Sequence, residues 1–91
     1  MNLKIFYFPS CPYCVKAKRA IEELKEENPE YQGIEIEWID EQKNPALADQ
    51  YDYYYVPTMF IGDEKIYEAH PGQTYEEIRE AVKNVFDKAL E

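Results

Sequence analysis

Residues 8–18 read Phe8-Pro9-Ser10-Cys11-Pro12-Tyr13-Cys14-Val15-Lys16-Ala17-Lys18, and they hold both cysteines of a 91-residue chain. The stretch lies where one kind of pattern ends and another begins. On its N-terminal side, Leu3 to Phe8 is a β-branched and aromatic run stopped by Pro9, the signature of a short buried strand. On its C-terminal side, Cys14, Ala17, Ile21 and Leu24 recur at helical steps, Pro12 stands where a first helical residue tolerates proline, and Asn28-Pro29 ends the run. The cysteines therefore straddle a strand-to-helix turn, with Cys11 just ahead of the helix and Cys14 one turn into it.

The same patterns extend outward. Ile34, Ile36 and Trp38 alternate with Glu35 and Glu37 between Gly33 and Asp40, which predicts a second strand. Asn44-Pro45 opens a short helix through Ala46, Leu47 and Ala48, ending near Gln50 or Tyr51. Thr58 to Ile61 and Lys65 to Glu68 are brief strands joined by Gly62-Asp63-Glu64, a connection of hairpin size. Thr74-Tyr75-Glu76-Glu77 has capping-box spacing, and Ile78, Ala81, Val82, Val85, Phe86, Ala89 and Leu90 follow on one helical stripe. The order β-α-β-α-β-β-α predicts an α/β fold: a small mixed four-stranded sheet with helices on both faces and a right-handed first crossover. No repeat or linker divides the chain, so residues 1–91 read as a single domain.

Composition narrows the function classes. At 45% hydrophobic residues the chain has apolar surface for one core, and a domain of this size buries about 60 to 65% of its unfolded surface. No stretch approaches the roughly 20 apolar residues of a membrane span, and Pro9 cuts the N-terminal apolar run too short for a signal peptide, so the expected compartment is the cytoplasm. A net charge of -9 argues against nucleic acid and anionic membranes as partners. The charge is uneven: Met1 to Lys25 carries five positive residues against Glu22 and Glu23, a net of +3, while the remainder carries five positive and 17 negative residues, a net of -12. The cysteine segment is the one basic neighbourhood of an acidic chain.

Two cysteines separated by two residues make a poor structural staple, because the loop they close is short and the stabilisation grows with loop length. A zinc site needs about four ligands, and the only other soft ligand is His70. Position favours a redox-active dithiol. A cysteine at the N-cap faces free backbone N–H groups and the positive end of the helix dipole, which favour thiolate at Cys11 and make it the nucleophile. Cys14, one turn on and turned inward, is placed to resolve a mixed disulfide.

Cys11-Pro12-Tyr13-Cys14 after a first strand and opening a first helix resembles the active-site motif of glutaredoxins, and C-x-x-C beside a βαβ pattern is more generally similar to thioredoxin-fold proteins. Tyr55-Val56-Pro57-Thr58 before the third strand resembles the loop in which that superfamily carries a cis-proline facing the dithiol. The resemblance spans essentially the whole chain and implies a thioredoxin fold. It implies a thiol-disulfide oxidoreductase with Cys11 and Cys14 catalytic, acting on protein disulfides or glutathione mixed disulfides in electron transport and cell redox homeostasis. It implies a substrate site at Tyr13, Tyr55, Val56, Pro57, Gly72, Gln73 and Thr74, with the backbone of Val56 pairing an extended substrate. A carboxylate of glutathione, as electron donor, would sit on the helix N-terminus around Gln73 and Thr74. No bound cofactor or metal is implied, and the chain is expected to act as a monomer with a reductase upstream.

The finer motifs are mixed. Phe8 stands where many glutaredoxins carry a lysine, and His70-Pro71-Gly72-Gln73-Thr74-Tyr75 replaces their Gly-Gly pair. Tyr51-Asp52-Tyr53-Tyr54-Tyr55-Val56-Pro57-Thr58 has instead the spacing of the thioredoxin segment that runs from a helix-ending tyrosine to the cis-proline. Two alternatives follow: a redoxin fed by a thioredoxin reductase rather than glutathione, and an iron–sulfur or metal binding module in which two chains each lend Cys11. Among the tyrosines, packing is the expected role for most of Tyr51 to Tyr55, and Tyr13 is expected on the exposed rim.

Overall fold

The computed structural model describes residues 2–91; Met1, the first residue of the N-terminal apolar segment, lies outside the described residues. Strand β1 (Asn2–Tyr7) leads into helix α1 (Pro12–Glu27), strand β2 (Glu35–Asp40), the short helix α2 (Pro45–Ala48), the strands β3 (Thr58–Ile61) and β4 (Glu64–Glu68), and helix α3 (Tyr75–Ala89). The sheet order is β2-β1-β3-β4, with β1 parallel to β2 and antiparallel to β3, and β3 antiparallel to β4. This is the mixed α/β sheet expected from the sequence. Gly62, at φ 61°, supplies the left-handed residue that the β3–β4 turn requires.

Alternation along β1 splits the interior in two. Leu3 and Ile5 face one side, where Ala17, Ala20, Ile21 and Leu24 of α1 and Ile78, Val82, Val85 and Phe86 of α3 pack with Met59. Phe6 faces the other side, with Ile39, Phe60 and both cysteines, and Leu47, Ala48, Tyr51 and Tyr53 close over it. Phe6 is fully buried, and its ring lies 4.8 Å from that of Tyr51 and 5.1 Å from that of Tyr53. Each such side chain contributes about 1.5–3 kcal/mol by leaving water.

Around the large core and the sheet's edge the structure departs from the sequence expectations. The alternating stripe of β2 puts Ile34 and Ile36 against the large core, but Trp38 lies at the sheet's edge, 37% exposed, with its ring edge-on to Tyr7 at 5.6 Å. Between α1 and β2 the chain makes a 3-10 helix, Pro29–Gly33, which inserts Tyr31 beneath Phe86 and lets its hydroxyl donate to Asp87 at 2.5 Å. Leu90 falls beyond the end of α3 and is exposed.

Candidate active site

Cys11 occupies the N-cap of α1 with extended backbone dihedrals (φ -78°, ψ 121°), and its carbonyl accepts the N–H of Val15 at 3.1 Å. Pro12 follows at the first helical position, where a missing N–H costs nothing. The N-cap placement therefore matches the sequence expectation, but the sulfur does not cap the helix. It points across to the carbonyl oxygen of Val56, to which the thiol donates at 3.5 Å, and Cys11 is buried rather than open to solvent. Cys14 is buried one turn behind, and both side chains are free thiols. Burial pushes the Cys14 thiol up to about 12, the adjacent Cys11 and Glu41 add to the rise, and a backbone hydrogen bond at Phe8 opposes it. Cys14 therefore keeps its proton until a base takes it.

Opposite Cys11 runs residues 54–57, and the Val56-Pro57 peptide bond is cis. The backbone groups of this loop can be followed one by one. The N–H groups of Tyr54 and Tyr55 both donate to Glu68 Oε2, at 2.6 and 2.8 Å. The carbonyl of Tyr55 accepts the Thr58 hydroxyl, and that of Pro57 accepts the N–H of Ala69 at 3.0 Å. The carbonyl of Val56 faces only the Cys11 sulfur, and its N–H has no partner among the described residues. Val56 thus keeps a backbone N–H with no partner among the described residues directly beside the sulfur, an edge left for another molecule. Val56 and Pro57 are buried while the Tyr55 side chain is exposed.

The other expected substrate residues are placed close by, but their polar groups serve the fold. Tyr13 is half-buried rather than an exposed rim, because its hydroxyl accepts the N–H of Gly72 at 2.8 Å and so joins α1 to the loop before α3. Gly72 has φ 91°, a conformation that favours glycine, and with its N–H taken it has none to offer a ligand. Gln73 is buried, and its Oε1 accepts the Tyr67 hydroxyl at 2.7 Å and the N–H of His70 at 3.1 Å. Thr74 and Glu77 form a reciprocal capping box, so the Thr74 and Glu77 N–H groups are both occupied, and Glu76 and Glu77 put negative charge in the first turn. A helix end closed in this way is a poor seat for a second carboxylate.

Sequence reasoning missed Glu68 and the Tyr13–Gly72 bond. Glu68 reads as one more surface acid in an acidic chain, and only the antiparallel register that sets Thr58 opposite Glu68 brings its carboxylate under residues 54 and 55. A groove of about 710 Å³ lies on the other flank of Cys14, between α1 and the β2 edge, lined by Phe8, Val15, Lys18, Arg19 and Trp38 among others; no residue of the 54–57 loop lines it. Among the described residues no three His, Cys, Asp or Glu side chains converge on a metal-sized site.

A paired thiol at a strand-to-helix turn, beside a cis-proline loop on a four-stranded mixed sheet, defines a dithiol protein of thioredoxin fold. The chain matches the thioredoxin domain family over residues 1–83 and belongs to it. It is 35% identical over 83 residues to the thioredoxin of Methanocaldococcus jannaschii, covering 91% of this chain and 93% of that one. It is 30% identical over 84 residues to a probable thioredoxin of Methanothermobacter thermautotrophicus, covering 92% and 94%. Thioredoxin 1 of Thermosipho africanus shares the fold over 100% of both chains, with a TM-score of 0.61 at 20% identity. The family carries thiol-disulfide oxidoreductase activity to this chain and gives no support to the glutaredoxin label.

Proposed function

We propose that the protein is a small thioredoxin-type reductant of protein disulfides, recharged by a thioredoxin reductase rather than by glutathione. The observation that supports this most strongly is the pairing of the Cys11 sulfur with the Val56 carbonyl at 3.5 Å, beside an N–H that has no partner among the described residues. An extended substrate laid along Val56 as an added strand brings its disulfide to Cys11. Cys11, its proton lost, attacks one substrate sulfur; a mixed disulfide forms and the other sulfur leaves as a thiolate that takes up a proton. Cys14 then gives up its proton and attacks the Cys11 sulfur. The second substrate thiol departs, and an intramolecular Cys11–Cys14 disulfide remains, two electrons having passed to the substrate. A reductase returns two electrons and two protons. The sulfur atoms need no metal or bound cofactor for these steps, and the proposed setting is a cytoplasmic monomer.

The relatives named thioredoxin favour this reading over the glutathione one, and the closed capping box at Thr74 points the same way. The discriminating experiment follows insulin reduction with two electron supplies, NADPH plus a thioredoxin reductase, and glutathione plus glutathione reductase. Turnover is expected with the first supply and only weakly with the second. Comparable or faster turnover with glutathione would restore the glutaredoxin assignment.

A further inference from the structure

We propose that Glu68 is a positioning residue for the substrate site: its carboxylate clamps the N–H groups of Tyr54 and Tyr55, holding the Val56 backbone edge in the shape an extended disulfide substrate must pair with. The inference rests on the proposed function for the identity of that substrate. The clamp itself stands on geometry, since one oxygen, Oε2, receives two backbone N–H bonds at 2.6 and 2.8 Å. The other oxygen, Oε1, holds Lys65 Nζ at 2.8 Å, so the carboxylate cannot swing away without breaking both ends. Hydrogen bonds that an ionised acceptor receives are the strong ones.

What the clamp holds explains why it matters. Tyr54 is 89% exposed and Tyr55 52%, so neither ring is anchored by burial. Without Glu68 the loop would lose both its N–H ties; the outer anchors that remain are the Thr58 hydroxyl on the Tyr55 carbonyl and the Ala69 N–H on the Pro57 carbonyl, with the Cys11 thiol on the Val56 carbonyl between them. The free N–H of Val56 lies between those two anchors. A loop ordered before the substrate arrives saves the ordering cost at binding, so the clamp acts on affinity and leaves the sulfur chemistry at Cys11 alone.

The test reduces insulin with dithiothreitol as electron source, which removes any dependence on the upstream reductase. For Glu68→Ala, KM is expected to rise about tenfold with kcat within about twofold of wild type. Glu68→Gln keeps one acceptor oxygen and should raise KM about threefold. Unchanged KM in Glu68→Ala that is folded by circular dichroism would overturn the proposal. Should Glu68→Ala fail to fold, the same KM split in Glu68→Gln decides it. Amide hydrogen exchange gives a readout independent of activity: the Tyr54 and Tyr55 amides should exchange faster in Glu68→Ala, and unchanged rates would refute the clamp. If wild-type protein left insulin untouched, the proposed function would fall and the substrate half of this inference with it, while exchange would still decide whether the clamp exists.

Discussion

Cys14 shows how a single side chain divides the labour of the pair. Its burial on the inner side of α1 favours the neutral thiol, so the folded value, pushed up to about 12, lies above the ordinary thiol value of 9.0. The sign follows: folding prefers the protonated form, and the stability this contributes is whole below pH 9 and is lost as pH climbs toward 12. In Cys11→Ser protein, the alkylation rate of Cys14 by iodoacetamide should therefore still be rising well above pH 9. A plateau at or below pH 9 would show the thiol to be ordinary. At this scale the sequence was informative about identity and order: two cysteines flanking Pro12 suffice to place one at an N-cap and one a turn later. It was silent about direction. That the Cys11 sulfur turns to Val56, 45 residues away in the chain, depends on how β1 and β3 lie side by side, which no local pattern carries.

The elements were legible wherever period and punctuation agreed. Both long helices begin and end within a residue or so of their proline, asparagine and capping-box signals, and the β3–β4 turn centres on its glycine. Helix α2 stops at Ala48 rather than near Gln50 or Tyr51: past Asp49 the bonds tighten to three-residue turns, Gln50 N–H to Leu47 and Tyr51 N–H to Ala48. The 3-10 helix at Pro29–Gly33 was not legible, since proline at one end and glycine at the other read as a plain loop. The start of α3 marks where the sequence reading of the site and the structure part. Gln73 is buried, and the exposed Thr74 spends its hydroxyl and N–H on the capping box with Glu77; whether Thr74 also meets a ligand is measurable. Thr74→Ala should lower unfolding free energy by about 1 kcal/mol and leave KM for a protein disulfide as in wild type. A raised KM with full stability would return Thr74 to the binding site.

For the molecule as a whole, charge and topology act together. The basic first 25 residues carry the dithiol, buried between the interior strand β1 and helix α1 of an otherwise acidic domain, and no helix among the described residues is long and apolar enough to cross a membrane. Order of elements was enough to derive the mixed sheet with helices on both faces. The choice between electron donors was not, because Cys-Pro-Tyr-Cys alone does not say what docks beside it. Nor does local pattern show which polar groups the fold occupies: Tyr13 with Gly72, Tyr67 with Gln73, Glu68 with the loop at Tyr54.

The most direct test of the division between the two sulfurs is mass spectrometry of single-cysteine variants mixed with an oxidised protein substrate such as insulin. Cys14→Ser should accumulate a stable mixed disulfide through Cys11, and Cys11→Ser should form almost none over the same time. Equal adducts in the two variants, or adduct only through Cys14, would contradict the assignment of Cys11 as the attacking sulfur.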